Sequence, residues 1–262
     1  MAYNLDFKEF KFSHKVTEKP EMEKGFMYHA HNLYEILLFL DGDVEYVIEN
    51  KKYTLKPFDL LFIKPGEHHY LKLQSTKRYE RMVFRFPDYI IPKVIESSLH
   101  SKPAILNIKD TDLITIFNEF DEHAKNFSGE KLHILFMSVL TELLVYFNET
   151  GAQTEEAIVV DETVEQILHY INSNINTQIS VNDICTSYYV SKTKLYRMFY
   201  QAMKVPIAQY IRNKKIMLAY NLIKNGQKPT QVFEEVGFND YSTFYRTYVR
   251  VIGSPPSNKE EA

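Results

Sequence analysis

The spacing of apolar residues changes period near position 87. Before it, short apolar or aromatic runs ("YEILLFL" at 34–40, "VEYVIE" at 44–49, "DLLFIK" at 59–64, "RMVFRF" at 81–86) are separated by turn-forming stretches at 41–43, 49–52, 56–59 and 64–69. Regularly spaced short strands with such turns predict a sandwich or small barrel. "VEYVIENKKYTL" is the clearest hairpin, with Val44, Tyr46 and Ile48 alternating with Glu45, Val47 and Glu49 before a polar turn. After "FPDY" the recurrence lengthens to three or four residues. Ile114, Phe117, Phe120 and His123 or Ala124 mark one helix; Leu132, Leu135, Phe136, Val139, Leu143 and Tyr146 or Phe147 mark a second, with Ser128-Gly129 as the stop between them. The second helix is apolar on more than one stripe, because Ile134, Leu140, Leu144 and Val145 lie off its main face. A broad contact with its own barrel and a dimer interface both account for the surplus, and the dimer is the reading favoured here.

Residues 148–160 are small, polar and acidic, and read as a linker between a unit at 1–147 and one at 161–262. From Val164 to Ile252 the pattern is helical with short breaks. In "SVNDICTSYYVSKTKLYRMFYQ", Ser180 caps a short helix that turns Val181, Ile184 and Cys185 inward, and Ser191 caps a second that buries Leu195, Met198 and Phe199. The outward face then carries Lys192, Thr193, Lys194, Tyr196, Arg197 and Tyr200, with hydroxyls and a guanidinium for base edges and lysines for phosphates. "PTQVFEEVGFNDYSTFYRTYVRVIGSPP" repeats the plan: Val232, Phe233 and Val236, a break at Gly237, then a helix that buries Phe244, Thr247 and Tyr248 and exposes Tyr241, Ser242, Tyr245 and Arg246. A helix from Pro206 to Gly226 joins the two helix-turn-helix units, a geometry suited to successive major grooves of duplex DNA.

Charge sharpens this picture. The net charge of −3 hides an asymmetry: residues 1–160 hold 19 Lys/Arg against 25 Asp/Glu, whereas 161–262 hold 12 against 9. Residues 191–228 carry nine basic side chains and no acidic one, which points to a polyanionic partner. One cysteine, Cys185, excludes a disulfide framework and fits a reducing cytoplasm. No run of about eighteen apolar residues suggests a membrane span, and the N-terminus has no apolar export segment.

"VGFNDYSTFYRTYVRVIGSPP" resembles the C-terminal signature of the AraC/XylS family of bacterial transcription regulators, through Val236, Gly237, Phe238, Asp240, Phe244, Arg246, Gly253 and Pro256. The resemblance covers about residues 161–256 and includes the helix-turn-helix pair and the Tyr210…Ala219-Leu222 helix. It implies base-reading positions at Thr193, Tyr196 and Arg197 and at Tyr241, Ser242, Tyr245 and Arg246. Phe233 stands where the family has a small residue, Tyr248-Val249 where it has Phe-Lys, and Lys204 where it usually has glycine. The chain stops at "SNKEEA", short of the family's usual terminal helix, so the first unit is expected to be the more reliable reader.

Such regulators often carry an N-terminal cupin-like sensor, and residues 1–90 resemble one. The cupin pattern H-x-H-x(3,4)-E-x(6)-G is met by His29, His31, Glu35 and Gly42, and "IKPGEHHY" supplies Gly66 and a third histidine, His69. Read as a strand, 27–42 points His29, His31 and Glu35 to one side. With His69 they form a set suited to a divalent transition metal. The resemblance to sensor members favours the same residues as ligand or packing contacts without a metal, so no cofactor is expected. Tyr46 is placed to stack on a sugar or other small ring, or to serve as plain core. The expected chain is α+β: a cupin-like β-barrel with flanking dimerisation helices, followed by an all-α domain with two helix-turn-helix units. It is expected to act as a ligand-responsive regulator rather than an enzyme. The expected partners are double-stranded DNA, a small-molecule effector, a second copy docked through helices in 112–148, and RNA polymerase, with no membrane. A metal-dependent cupin enzyme and a ligand-independent DNA-binding protein stay open as alternatives. The segment "NLDFKEFKFSHK" is a candidate ligand-sensitive arm.

Overall fold

The computed structural model describes residues 3–7, 10–21, 29–100, 102, 104–150 and 157–256. Parts of the predicted linker (151–156), the stretch 22–28 and the terminal "SNKEEA" lie outside them. The first half contains strands β1 (Tyr3–Asp6), β2 (Lys11–Thr17), β3 (Tyr34–Asp41), β4 (Val44–Ile48), β5 (Lys51–Thr54), β6 (Asp59–Ile63), β7 (His69–Leu73), β8 (Tyr79–Phe86) and β9 (Ile105–Asn107). Helices α1 (Lys93–His100), α2 (Leu113–Asn126) and α3 (Gly129–Glu149) follow the strands, α1 preceding β9. A short β10 (Ile158–Val159) then leads to α4 (Glu162–Ser173), α5 (Val181–Ser187), α6 (Lys192–Met203), α7 (Ile207–Lys224), α8 (Pro229–Glu235) and α9 (Tyr241–Ile252).

The strands form two hydrogen-bonded sheets, ordered β1-β2-β8-β3-β6-β9 and β10-β5-β4-β7. β3 shows why its sequence is apolar at nearly every position: both its faces are buried. Ile36 and Leu38 join Phe12, Leu60, Phe62, Phe84 and Phe86 in a core shared with α1, α2 and α3. Leu37 and Phe39 point the other way, into a second core with Tyr46, Ile48, Leu71 and Tyr79 between the sheets. The layers are therefore helices, sheet, sheet. The candidate N-terminal arm is part of this fabric, since β2 pairs with β8 along its whole length and Phe10 and Phe12 are buried.

α3 corrects one expectation. By length and composition it is apolar enough to cross a membrane. Its Leu132, Phe136, Val139, Leu140, Leu143, Leu144 and Phe147 are instead buried in the first core, which explains their apolarity without a bilayer. The described end of the linker is held more tightly than its composition suggests: β10 pairs with β5, and Asn50 Nδ2 donates to the Asp161 carbonyl at 2.7 Å.

The helical half has two cores that share α7. Val164, Ile167, Ile171, Ile184, Leu195, Phe199, Tyr210 and Ile211 make the first, which ties α4, α5 and α6 to the start of α7. Ile216, Ala219, Ile223, Val232, Val236, Phe244 and Tyr248 make the second, which ties its end to α8 and α9.

Candidate functional site: an interior polar pocket and a nucleic-acid interface

His29 and His31 do not lie on one strand with Glu35, as the alternation had implied. β3 starts at Tyr34, and the histidines sit before it, tethered instead to the segment 66–69. His29 and His69 exchange backbone hydrogen bonds of 3.1 and 2.9 Å, and Gly66 N–H donates to the His31 carbonyl at 2.9 Å. This long-range bridge brings the rings together more tightly than a shared strand would. The His29–His69 centroids are 4.3 Å apart, His31–His69 5.1 Å and His29–His31 5.9 Å. Ligating nitrogens of these three histidines lie within 4.8 Å of one another.

Glu35 is beside this group and committed elsewhere. Arg85, directly opposite it across the β3–β8 pair, donates from Nε to Oε2 at 2.6 Å, and His31 Nε2 lies 3.1 Å from the same oxygen. Burial pushes the Glu35 carboxyl up, but the His31 hydrogen bond and the Arg85 charge outweigh it and hold the group well below the usual carboxylate range. The expected four-ligand set is thus three histidines with a neighbouring ion pair. Arg85 was not anticipated. Its signal was present, since in "RMVFRF" it shares parity with Val83 and Arg81, opposite to the core residues Met82, Phe84 and Phe86. His69 is fully buried, and burial lowers it to about 3 despite Glu35, so it is a neutral imidazole at physiological pH. Tyr46 is buried in the inter-sheet core with its ring stacked at 6.1 Å and 13° to His69, a packing position facing the pocket.

The pocket does not end at the sheet. A cavity of about 220 Å³ is lined by His29, His31 and His68 on one side and by Asn213, Met217 and Arg250 on the other. Gly66 shows how close the halves come: its φ is +77°, and a Cβ there would meet Met217 Cγ at 2.8 Å. Glu49, at the β4–β5 turn, accepts from Tyr210 Oη at 2.8 Å and from Lys214 Nζ at 3.0 Å. Burial raises its carboxyl, and the Lys214 charge with these hydrogen bonds brings it below the usual range. Lys224 pairs with Asp88 at 2.5 Å. Lys215 is buried against Gly237. Two of the nine basic residues in 191–228, Lys214 and Lys224, therefore serve internal ion pairs rather than a polyanion, a use invisible without the partner half.

Both helix-turn-helix units are present. In the first, Ser180 and Asp183 form a reciprocal capping box on α5, and Ser191 Oγ accepts from Lys194 N–H at 3.2 Å to start α6. Leu195 and Phe199 are fully buried, so Lys192, Thr193, Lys194, Tyr196 and Arg197 form the exposed face. In the second, Asp240 accepts from Thr243 N–H at 2.7 Å at the start of α9, and Ser242, Tyr245 and Arg246 are exposed.

A family profile described as an AraC-like ligand binding domain matches residues 14–138, and one described as a helix-turn-helix domain matches 184–261. This chain belongs to the AraC/XylS family. It is a DNA-binding transcription regulator with an N-terminal ligand-binding domain, and not an enzyme. The probable transcriptional regulator LumQ of Photobacterium leiognathi is 25% identical over 239 residues, covering 90% of this chain and 92% of that one. The HTH-type transcriptional activator RhaR of Mannheimia succiniciproducens is 19% identical over 251 residues, covering 92% and 89%. Among solved structures, ToxT of Vibrio cholerae O395, bound to (E)-4-(8-methylnaphthalen-1-yl)but-3-enoic acid, covers 95% of this chain and 97% of its own at 18% identity and TM-score 0.39. The AraC-like activator CuxR covers 84% and 80% at 15% identity and TM-score 0.42.

The regulator's departures from the family signature have visible consequences. Phe233 packs against Tyr241 and Phe244, with centroids at 5.6 and 6.3 Å, and draws Tyr241 partly out of solvent. Tyr241 is thus the least exposed of the expected base-reading side chains. Lys204 takes the left-handed conformation, φ +53°, at the C-cap of α6, where a glycine would carry no Cβ penalty.

Proposed function

We propose that the regulator reads DNA chiefly with α6, through Thr193, Tyr196 and Arg197, with Lys192 and Lys194 on phosphates and α9 adding Ser242, Tyr245 and Arg246. Its effector enters the cavity lined by His29 and His31, next to the buried group of Glu35, Tyr46, His69 and Arg85. The observation that carries the DNA contacts is the division of α6 into a fully buried face at Leu195 and Phe199 and a continuous exposed polar face without an acidic residue. The effector reading is supported by convergence of ionisable side chains in an otherwise apolar inter-sheet core. A sugar is one class that the stacked Tyr46 and the polar groups would suit. Dimerisation through α2 and α3 is part of the proposal, on the exposure of Phe127, Ile134, Val145 and Tyr146. So are RNA polymerase as the protein partner on bound DNA, and the cytoplasm, where bacterial DNA is, as the compartment.

The test is selection of duplexes from a random pool, followed by a salt titration. Log K is expected to fall with log salt by about 0.9 per phosphate contacted. A slope near zero overturns the DNA contacts.

A further inference from the structure

We infer that Lys215 and Arg212 of α7 hold a phosphate of the DNA backbone in a cavity between the two helix-turn-helix units. The inference rests on the DNA reading above and deepens it with a contact that neither reading helix supplies. Lys215 is only 7% exposed, and its ammonium has no hydrogen-bond or ion-pair partner among the described residues. Buried charges are ordinarily paired, because taking an ammonium out of water carries a penalty that only an anion or several acceptors offset. Burial accordingly holds this group below the ordinary lysine range, with no carboxylate acting the other way. The end of the side chain lies over Gly237, where a Cβ would stand 2.6 Å from Nζ, so glycine at this turn leaves the ammonium its room. There it lines a cavity of about 260 Å³ together with Ile179, Arg212, Asp240 and Thr243. A water takes roughly 30 Å³, so a phosphate group and its waters fit. Asp240, the acidic residue of this lining, is already engaged: it accepts from Thr243 N–H at 2.7 Å, and the two cations outnumber it.

The place of the cavity in the fold selects the phosphate. Ile179 belongs to the loop ahead of α5 and Thr243 to the first turn of α9, so the cavity lies between the entry to the first unit and the reading helix of the second. Thr243 directly follows Tyr241 and Ser242, positions assigned to base edges. Arg212 and Lys215 are three residues apart on α7 and share a face. At about 100° per residue, that face lies opposite the one carrying Tyr210, Lys214 and Met217, which meets Glu49 and Gly66 of the sensor half. α7 thus turns one side to the sensor and the other to the start of α9. Two units seated in successive major grooves, roughly 34 Å apart, straddle a minor groove whose backbones pass beneath the joining helix. A phosphodiester there can reach a recessed ammonium while both reading helices stay in place. The compact lysine charge suits the interior of the cavity, and the exposed Arg212 fork suits its rim. A free phosphate ion offers the same oxygens, and the experiment separates the two sources.

The experiment places single neutral methylphosphonate linkages, one at a time, between the two half-sites of a selected duplex. Affinity is measured for the full-length wild type, Lys215→Met and Arg212→Ala. In the wild type one or two adjacent linkages should each weaken binding about tenfold. Lys215→Met should bind the unmodified duplex about tenfold more weakly with unchanged base preferences, lower the salt slope by about 0.9, and lose nothing further at those linkages. Arg212→Ala should show the same coupling at the same linkages with a smaller loss. Without DNA, Lys215→Met should melt no lower than the wild type, since it removes a buried charge that has no partner. A lower melting temperature with an unaltered salt slope marks a purely structural lysine and overturns the contact. A wild-type scan with no sensitive linkage between the half-sites overturns it too, even if Lys215→Met does not fold. Linkages that weaken Lys215→Met as much as the wild type overturn the assignment to Lys215. Inorganic phosphate, titrated at constant ionic strength, should shift the melting temperature no more than chloride does. Saturable stabilisation of the wild type alone, with a flat linkage scan, assigns the cavity to a free anion and overturns the DNA contact. Failure of the wild type to bind duplex DNA at low salt removes the reading on which the inference rests.

Discussion

The two helix-turn-helix units share a plan and differ in what surrounds it. α5 and α6 begin with side-chain caps at Ser180 and Ser191, and α6 presents Lys192, Lys194 and Arg197 to solvent. α8 starts at Pro229 without a side-chain cap, Phe233 pulls Tyr241 inward, and Arg250 of α9 lines the cavity beside His29 and His31. A second aromatic where a small residue is usual thus turns part of the reading face into core. In the proposed reading, the same fold element turns its exposed face to DNA in one copy and, in the other, divides its side chains between DNA and the cavity beside the sensor.

That asymmetry can be broken at several levels. The largest effects belong to the cores and should be alike in both units: Phe199→Ala and Phe244→Ala, each fully buried, are expected to cost about 3–5 kcal/mol in denaturant unfolding. Arg197→Ala should lose about 1–3 kcal/mol of discrimination on a selected duplex, read by competition with single-base variants. Arg246→Ala should lose less, since its Nε already reaches the Ser242 carbonyl at 3.4 Å. Equal losses would remove the asymmetry.

The caps differ chemically as well. Ser191→Ala should destabilise α6 by about 1 kcal/mol at any pH, because a hydroxyl does not titrate there. The Asp240 carboxylate is held below its ordinary value by the Thr243 backbone N–H. A depressed folded-state value means that this cap's contribution is present above the unfolded value, about 3.9, and is lost as pH falls through the folded one. Protection of the Thr243 amide, taken relative to its intrinsic exchange rate at each pH, should therefore fall on acidification below pH 4, and Asp240→Asn should abolish that dependence. The smallest effect is expected at Lys204→Gly, which relieves a left-handed residue and should stabilise the protein by on the order of 1 kcal/mol in thermal unfolding.

Much of the architecture was legible where periodicity is local. The runs at 34–40, 44–49, 59–64 and 81–86 became β3, β4, β6 and β8, and the stripes at 114–124 and 132–147 became α2 and α3. β7 was not read as a strand: its first residue, His69, ends the turn-forming "KPGEHH", and the four that follow, "YLKL", are too few to show a period. β9 and β10 are too short to show a period. α1, with its eight residues, was missed for a similar reason. In the candidate site His29, His31 and Glu35 were visible from spacing and His69 from the cupin resemblance, while their division into three histidines and an Arg85-bound carboxylate was not.

What the sequence determined by itself is the order of β and α halves, the doubled helix-turn-helix plan and its N-caps, because each depends on residues within a few positions of one another. What tertiary structure decided is which charged groups meet. His29 reaches His69 across forty residues, Glu35 is claimed by Arg85, and Lys214 and Lys224 turn from solvent to Glu49 and Asp88. Such pairings depend on strand register and domain docking; a side chain's own neighbours in the chain can show which face it takes, as at Arg85, but not which partner it meets.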